Sequence, residues 1–292
     1  MRTHTLPARA GIGLRGPHVK EVLTTRPEIS WLEVHSENYF ADGGLALQQL
    51  ESIRADYALS LHGVGLSLGS ADALNLRHLS KLKNLIAHVD PASVSEHLCW
   101  SSSGGNFLND LLPLPYSEEA LITVSRNISQ AQEFLGRRLL IENVSSYLRF
   151  NHETISEWDF LAEVARRTDC DILLDINNIY VSAVNHGFDA QQYLATMPTN
   201  RVAEIHLAGH ETDDADDGSD SFLIDTHSRP VCDAVWSLYA DALQRFGPRP
   251  TLIEWDSELP TLAVLLGEAD KAQQLLDAPT QRHSAAQHAH AA

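Results

Sequence analysis

Short apolar runs recur along the chain: AGIGL near residue 10, SWLEVH near 30, ALSLHG near 58, SVSEHL near 93, RLLIEN near 138, CDILLDI near 170, VAEIHL near 202 and TLIEW near 251. Each is of strand length and rich in branched apolar residues, so eight buried strands are predicted. Between most of them lie ALQQLESIRAD, NLRHLSKLKNLIAHV, SEEALITVSRNISQAQEFLG, SEWDFLAEVARRT and VCDAVWSLYADALQRFG, whose apolar residues return every three or four positions and predict helices. In SEEA and SEWD an acidic residue follows a serine, a pattern that starts helices. Strands alternating with helices predict a parallel sheet, and eight such units in 292 residues predict a closed (β/α)8 TIM barrel. A doubly wound open sheet is the competing architecture, but no G-x-G-x-x-G or G-x-x-x-x-G-K-[ST] follows any strand. The expected organisation is one barrel domain over residues 1–268, followed by a flexible Ala-, His- and Gln-rich tail over 269–292.

Polar residues fall late in these runs: His35 after WLEV, His62 after LSL, His97 after VSE, Glu142 after LLI, Asp175 after ILL, His206 after AEI and Glu254 after TLI. In a TIM barrel the strand ends meet at one rim, so all seven are predicted to converge there. Burying so many ionisable groups side by side is unfavourable unless a cation neutralises them, which makes them candidate metal ligands. Asn178, three residues after Asp175 in LLDINN, and the D-x-H pair Asp225 and His227 in LIDTHS add further donors. One ion does not need this many, so two or three ions sharing a bridging carboxylate are expected. Nitrogen and oxygen donors without thiolates suit zinc, manganese or iron.

The formal charge of −18, from 21 basic and 39 acidic residues, argues against nucleic acid or an anionic membrane as partner. Cys99, Cys170 and Cys232 show no C-x-x-C spacing, which suggests neither a disulfide framework nor a zinc knuckle and fits a reducing cytoplasm. No segment approaches the roughly 18 consecutive apolar residues of a membrane span, and MRTHTLPARAGIG lacks the apolar centre of a signal peptide. His35, Glu37 and Asn38 in HSENYF, Ser95 and Glu96 before His97, and Asn143 in IEN are candidates for orienting ligands or contacting substrate, beside the plainer reading that they cap strand ends. His186 and His210 are loop histidines near the rim that offer substrate contacts or surface roles. The acidic stretch ETDDADDGSD is expected to be a solvated segment leading to Asp225 and His227; the alternative is a cover over the rim that meets a basic leader peptide or partner.

The segments GIGLR, WLEVHSENYF, LSLHGVGLSLGS, VSEHLCWSS, LNDLLPLPY, IENVSSYLRF, LLDINNIYVSAVNHGFD, EIHLAGH and IEWD resemble, in one order from about residue 10 to 268, the multinuclear non-haem iron-dependent oxidases. The resemblance implies a barrel holding two or three irons in mixed Fe(II)/Fe(III) states. It also implies dioxygen-dependent oxidation of cysteine residues in a ribosomally made precursor peptide, with a small partner protein recognising the leader. His206, Glu142 and Asp175 would be central to catalysis. The barrel is also similar to the endonuclease IV and xylose isomerase superfamily, whose trinuclear ligand order implies an assignment. Glu142 would bridge two ions, with His62 and His97 completing one and Asp175, His206 and Glu254 the other; Asn178, Asp225 and His227 would hold a third. The nuclease pattern has histidine where this chain has Asn178, which implies a more weakly held third ion.

Read from residues alone, the same donors would serve a zinc- or manganese-dependent hydrolase using metal-bound hydroxide. Sugar isomerisation lacks a lysine beside the strand ends, and a metal-storage or scaffold protein would need coordinatively closed ions. Helix amphipathicity leaves a homodimer open.

Overall fold

A computed structural model of the chain describes residues 5–213 and 222–278. Its strands are β1 (Ala10–Gly13), β2 (Trp31–His35), β3 (Ala58–Gly63), β4 (Ser93–His97), β5 (Trp100–Ser103), β6 (Asn106–Leu112), β7 (Leu140–Glu142), β8 (Asp171–Asp175), β9 (Val202–Leu207), β10 (Glu211–Asp213), β11 (Phe222–Ile224) and β12 (Thr251–Ile253). The helices are α1 (Gly16–Thr25), α2 (Leu45–Asp56), α3 (Leu76–Val89), α4 (Glu118–Leu135), α5 (Glu157–Thr168), α6 (Ile176–His186), α7 (Ala190–Thr196), α8 (Asp233–Phe246) and α9 (Leu262–Asp277), with a 3-10 turn at Ser36–Tyr39.

Eight strands close into a parallel barrel in the order β1-β12-β9-β8-β7-β4-β3-β2, and these are the eight apolar runs of the sequence. The chain is a TIM barrel. Its helices form because each carries one apolar stripe: α3 buries Leu79, Leu82, Leu85 and Val89, and α5 buries Phe160, Leu161, Val164 and Ala165. Ser117 and Ser156 cap α4 and α5 by accepting the N–H of Ala120 and Asp159, as SEEA and SEWD predict.

Two short antiparallel ribbons, β5–β6 and β10–β11, interrupt the alternation on the rim side. Glu211–Asp213, the start of the expected acidic loop, form β10 against β11; residues 214–221 lie outside the described residues. The expected domain end at 268 is too early. Helix α9 continues to Asp277, with Ala269, Ala272 and Leu276 buried and Gln273 accepting the Ala10 N–H at 3.0 Å. Of the expected tail, residues 279–292 lie outside the described residues. No helix among the described residues is long and apolar enough to cross a membrane.

The ladder fixes what the barrel interior contains. Trp31 pairs with the β3 start, and its indole covers Gly11, where an added Cβ would lie 2.4 Å from the ring; this closes the floor. Two residues further along β2 comes Glu33, beside Ser60 of β3 and Ser93 of β4 in register. Two residues further again lie His35, His62 and Ser95. Period-two alternation therefore stacks a polar layer of Glu33, Ser60, Ser93 and Glu204 beneath the rim.

Candidate metal centre

Strands β3, β4 and β7 deliver His62, His97 and Glu142 to one point. The two Nε2 atoms are 3.3 Å apart, and each is 3.3 Å from Glu142 Oε2. Metal–ligand bonds of about 2.0–2.2 Å at octahedral or tetrahedral angles place donors about 2.8–3.6 Å apart, so the triangle has the dimensions of a metal face. The opposite ring nitrogens fix the orientation. His97 Nδ1 donates to Gly63 O at 3.0 Å, leaving the Nε2 lone pair on the triangle, and His62 Nδ1 meets Ser95 Oγ at 2.7 Å. Burial, helped at His62 by the neighbouring His97, drives His62 well below its ordinary pKa, and burial takes His97 down to about 4. Both imidazoles are neutral donors at pH 7.

Glu142 also belongs to a second group with Asp175, His206 and Glu254, whose donor atoms all lie within 4.8 Å of one another. Its Oε2 faces the first triangle, while Oε1 lies 3.7 Å from His206 Nδ1. Glu254 Oε2 is 3.1 Å from the same Nδ1. Asp175 N-caps α6 by accepting the Asn178 N–H with Oδ1 at 2.7 Å, which leaves Oδ2 buried without a hydrogen-bond partner. Asn143 pins this strand end through both its amide atoms, each 2.9 Å from the Asp175 backbone. Burial, reinforced by Asp225, pushes the Asp175 carboxyl up to about 7, and burial pushes Glu142 well above the usual range despite His206. Burial opposes charge on His206, but Glu33 and Glu142 outweigh it and raise its pKa.

Asn178, Asp225 and His227 line the mouth above these groups, in a cavity of about 180 Å³ shared with His62, His97 and Glu254. Asn178 Nδ2 donates to Asn143 O at 3.0 Å, so its buried Oδ1 is the free atom. His227 Nε2 lies 2.8 Å from Asp225 Oδ1. The His227 backbone sits at φ 47°, and its carbonyl accepts the Asp256 N–H at 2.8 Å, which holds the left-handed turn. A relay sets Asp225: His210 Nδ1 donates to Asn177 Oδ1 at 2.8 Å, and Asn177 Nδ2 donates to Asp225 Oδ1 at 2.7 Å.

The remaining candidates divide. His35 lines the cavity with Nε2 3.7 Å from Glu254 Oε1. Glu37 instead accepts the N–H groups of Val64 and Gly65, and Glu96 those of Leu66 and His97; both shape the turn after β3. Asn38 is exposed on the 3-10 turn, and His186 contacts Ser146 Oγ in a neighbouring groove, so neither lines that cavity. Sequence reasoning missed Arg15, Asp256, Asn177, Glu33 and Glu204. Arg15 donates to Asp256 at 2.6 Å and Glu254 at 3.1 Å. The signal for Glu33 and Glu204 was their place two residues before His35 and His206, on the same strand face.

Glu33, Glu142, Asp175, Glu204 and Glu254 are each no more than 3% exposed, and the buried guanidinium beside them is that of Arg15, at 8%. Oxygens of Glu33, Glu142, Asp175, Asn178 and Glu204 are buried without hydrogen-bond partners. Such an excess of buried, unsatisfied acceptors is unfavourable unless protons or cations occupy the space between them. The donor set, all nitrogen and oxygen, fits first-row metal ions and offers no closed thiolate site.

The solved structures most like this one include a xylose isomerase-like TIM barrel protein from Mycobacterium smegmatis in complex with magnesium, with a TM-score of 0.59, 14% identity and coverage of 94% of this chain and 98% of that one. A D-psicose 3-epimerase in the presence of D-fructose aligns with a TM-score of 0.56 at 13% identity, covering 92% and 96%. At these identities the likeness is one of fold. In sequence the chain is 55% identical over 267 residues to a UPF0276 protein of Acaryochloris marina, covering 91% of this chain and 94% of the relative. It is 52% identical over 276 residues to one of Vibrio parahaemolyticus, covering 94% and 95%. The family model described as RiPP precursor modification enzyme MbnB/TglH/ChrH matches residues 9–277, the whole barrel from β1 to the end of α9. With the barrel, its donor-lined rim and this match over residues 9–277, the chain belongs to the MbnB/TglH/ChrH family of enzymes that modify ribosomally synthesised precursor peptides.

Proposed function

We propose that this enzyme holds two or three iron ions at the barrel rim and uses dioxygen to oxidise cysteine residues of a precursor peptide. The observation that carries the reading is Glu142, whose two oxygens face two different donor groups, one with His62 and His97, the other with Asp175, His206 and Glu254. A carboxylate so shared would serve two ions, more than a hydrolytic centre with one ion needs. Iron held by these residues would supply thiolate binding and dioxygen reduction.

The protein's own groups do the rest. Ser95 and the Gly63 carbonyl keep the His62 and His97 lone pairs aimed inward. Asn178, Asp225 and His227 provide the third, weaker set, with neutral Asn178 Oδ1 in place of an imidazole. Leu111, Val144 and Val64 line the same cavity and restrict water around an entering side chain. His35, 21% exposed and beside Glu254, stands where a substrate contact would be made. A small partner protein that recognises the peptide leader, which the family resemblance implies, belongs to the same reading.

The test is co-expression with a cysteine-containing precursor peptide encoded beside the enzyme, followed by mass spectrometry of the peptide. Oxidative mass changes confined to cysteine, present with the parent enzyme and absent with a folded His206→Ala variant, are expected. An unmodified peptide with an iron-loaded enzyme and its partner protein present, or full modification by His206→Ala, would overturn the assignment.

A further inference from the structure

Beneath the rim, Glu33 of β2 and Glu204 of β9 converge on one nitrogen of His206, Nε2. Each is fully buried, and one oxygen of each is tied to a serine: Ser60 Oγ donates to Glu33 Oε2 at 2.9 Å, and Ser93 Oγ donates to Glu204 Oε2 at 3.0 Å. The Ser93–Glu204 bond crosses the barrel, because β4 and β9 are not neighbours in the ladder. The other two oxygens have no hydrogen-bond partner and lie 3.5 Å (Glu33 Oε1) and 3.6 Å (Glu204 Oε1) from His206 Nε2, itself unpartnered. The other ring nitrogen, Nδ1, faces Glu142 and Glu254. An imidazole that gives one nitrogen to a metal must carry its proton on the other, and a carboxylate behind that N–H fixes both tautomer and ring angle.

We infer that Glu33 and Glu204 are a paired carboxylate clamp on His206, acting as positioning residues that hold its Nε2–H so that Nδ1 is presented to the metal. The inference rests on the reading of His206 as a ligand. Two clamping carboxylates instead of one leave the ring no alternative acceptor on that side, and the serine hydroxyls keep each carboxylate from turning away.

The test is anaerobic titration of the metal-free full chain with Fe(II), and separately with Co(II), whose visible bands report the ligand set. It compares the parent, Glu33→Gln, Glu204→Gln, the double variant and His206→Ala, with circular dichroism to establish folding. Each single Gln variant is expected to bind the equivalent held by His206 about 10- to 100-fold more weakly and to shift the Co(II) bands, and the equivalent at His62 and His97 stays unchanged. A folded double variant with the parent's affinities and spectrum would overturn the clamp. So would loss of an equivalent that His206→Ala retains, because the two carboxylates would then bind a cation themselves. If the Gln variants do not fold, Ser60→Ala and Ser93→Ala are expected to weaken the same equivalent several-fold, and unchanged affinity in both would overturn the proposal. Parent-like binding by His206→Ala would instead remove His206 from the ligand set, a failure of the underlying reading and distinguishable from failure of the clamp.

Discussion

Glu157 and Glu142 are both buried glutamates, but their surroundings give them different roles. Glu157 opens α5 and accepts the Tyr193 hydroxyl at 2.9 Å, away from the donor groups at the rim. Burial pushes its carboxyl up to about 7, against the opposing pull of Tyr193 and Tyr116. The folded protein therefore keeps a proton on Glu157 that the unfolded chain has released above its ordinary pKa of 4.5. Stability from this group is highest below pH 4.5, falls as pH rises to about 7, and is level above; the whole span is roughly 3 kcal/mol at most. Glu157→Gln is expected to melt several degrees higher than the parent at pH 8 and close to it at pH 4.5. Thermal melts of the two proteins across that range read the difference directly, and a difference independent of pH would contradict the assignment. Glu142 has no hydroxyl to satisfy it. Its neighbours are imidazole nitrogens and carboxylates, so under the proposed function the requirement Glu157 meets with a proton would be met at Glu142 by a cation.

At the scale of elements, the loop that carries Asp225 and His227 depends on a glycine in another strand's exit. Gly209 follows β9, and a Cβ there would lie 2.0 Å from Arg229 O and 2.7 Å from Pro230 O. These are backbone atoms that cannot swing aside. Gly209→Ala is expected to push the 227–230 turn outward, costing about 1–3 kcal/mol and weakening whatever Asp225 and His227 bind, without touching His62 or His97. Denaturant unfolding and metal content per chain check both parts, and parent-like stability would show that the turn has room to shift.

All eight barrel strands were legible because each is a short branched apolar run bounded by helical periodicity, and the ligand candidates were legible because polar groups end those runs in one phase. Helix α6 was not. INNIYVSAVNH mixes β-branched residues and asparagines of low helix propensity, and it becomes helical through the Asp175 cap and its buried face of Ile176, Ile179, Val181 and Ala183. The end of α9 was hidden because its buried stripe is largely alanine, which periodicity weighs little. The β5–β6 ribbon escaped because β6 is mostly exposed, without alternation. Glu33 and Glu204 were passed over because a carboxylate in mid-strand looks like an outward residue until closure of the barrel shows which face it takes.

For the molecule as a whole, closure of the barrel brings seven separate strand ends to one rim, and no single one of these strands contributes enough donors to hold an ion. Period-two stacking then sorts the interior into an apolar floor under Trp31, a layer of Glu33, Ser60, Ser93 and Glu204, and a rim of ligand candidates. The net charge of −18 works against long-range attraction of a phosphodiester, and the family match over residues 9–277 supports peptide chemistry. The most direct measurement is elemental analysis of metals per chain in protein purified without oxygen from iron-replete cells. Two to three irons per chain, with little zinc or manganese, is the predicted result; tightly bound zinc or manganese with iron well below one per chain would contradict the oxidase centre.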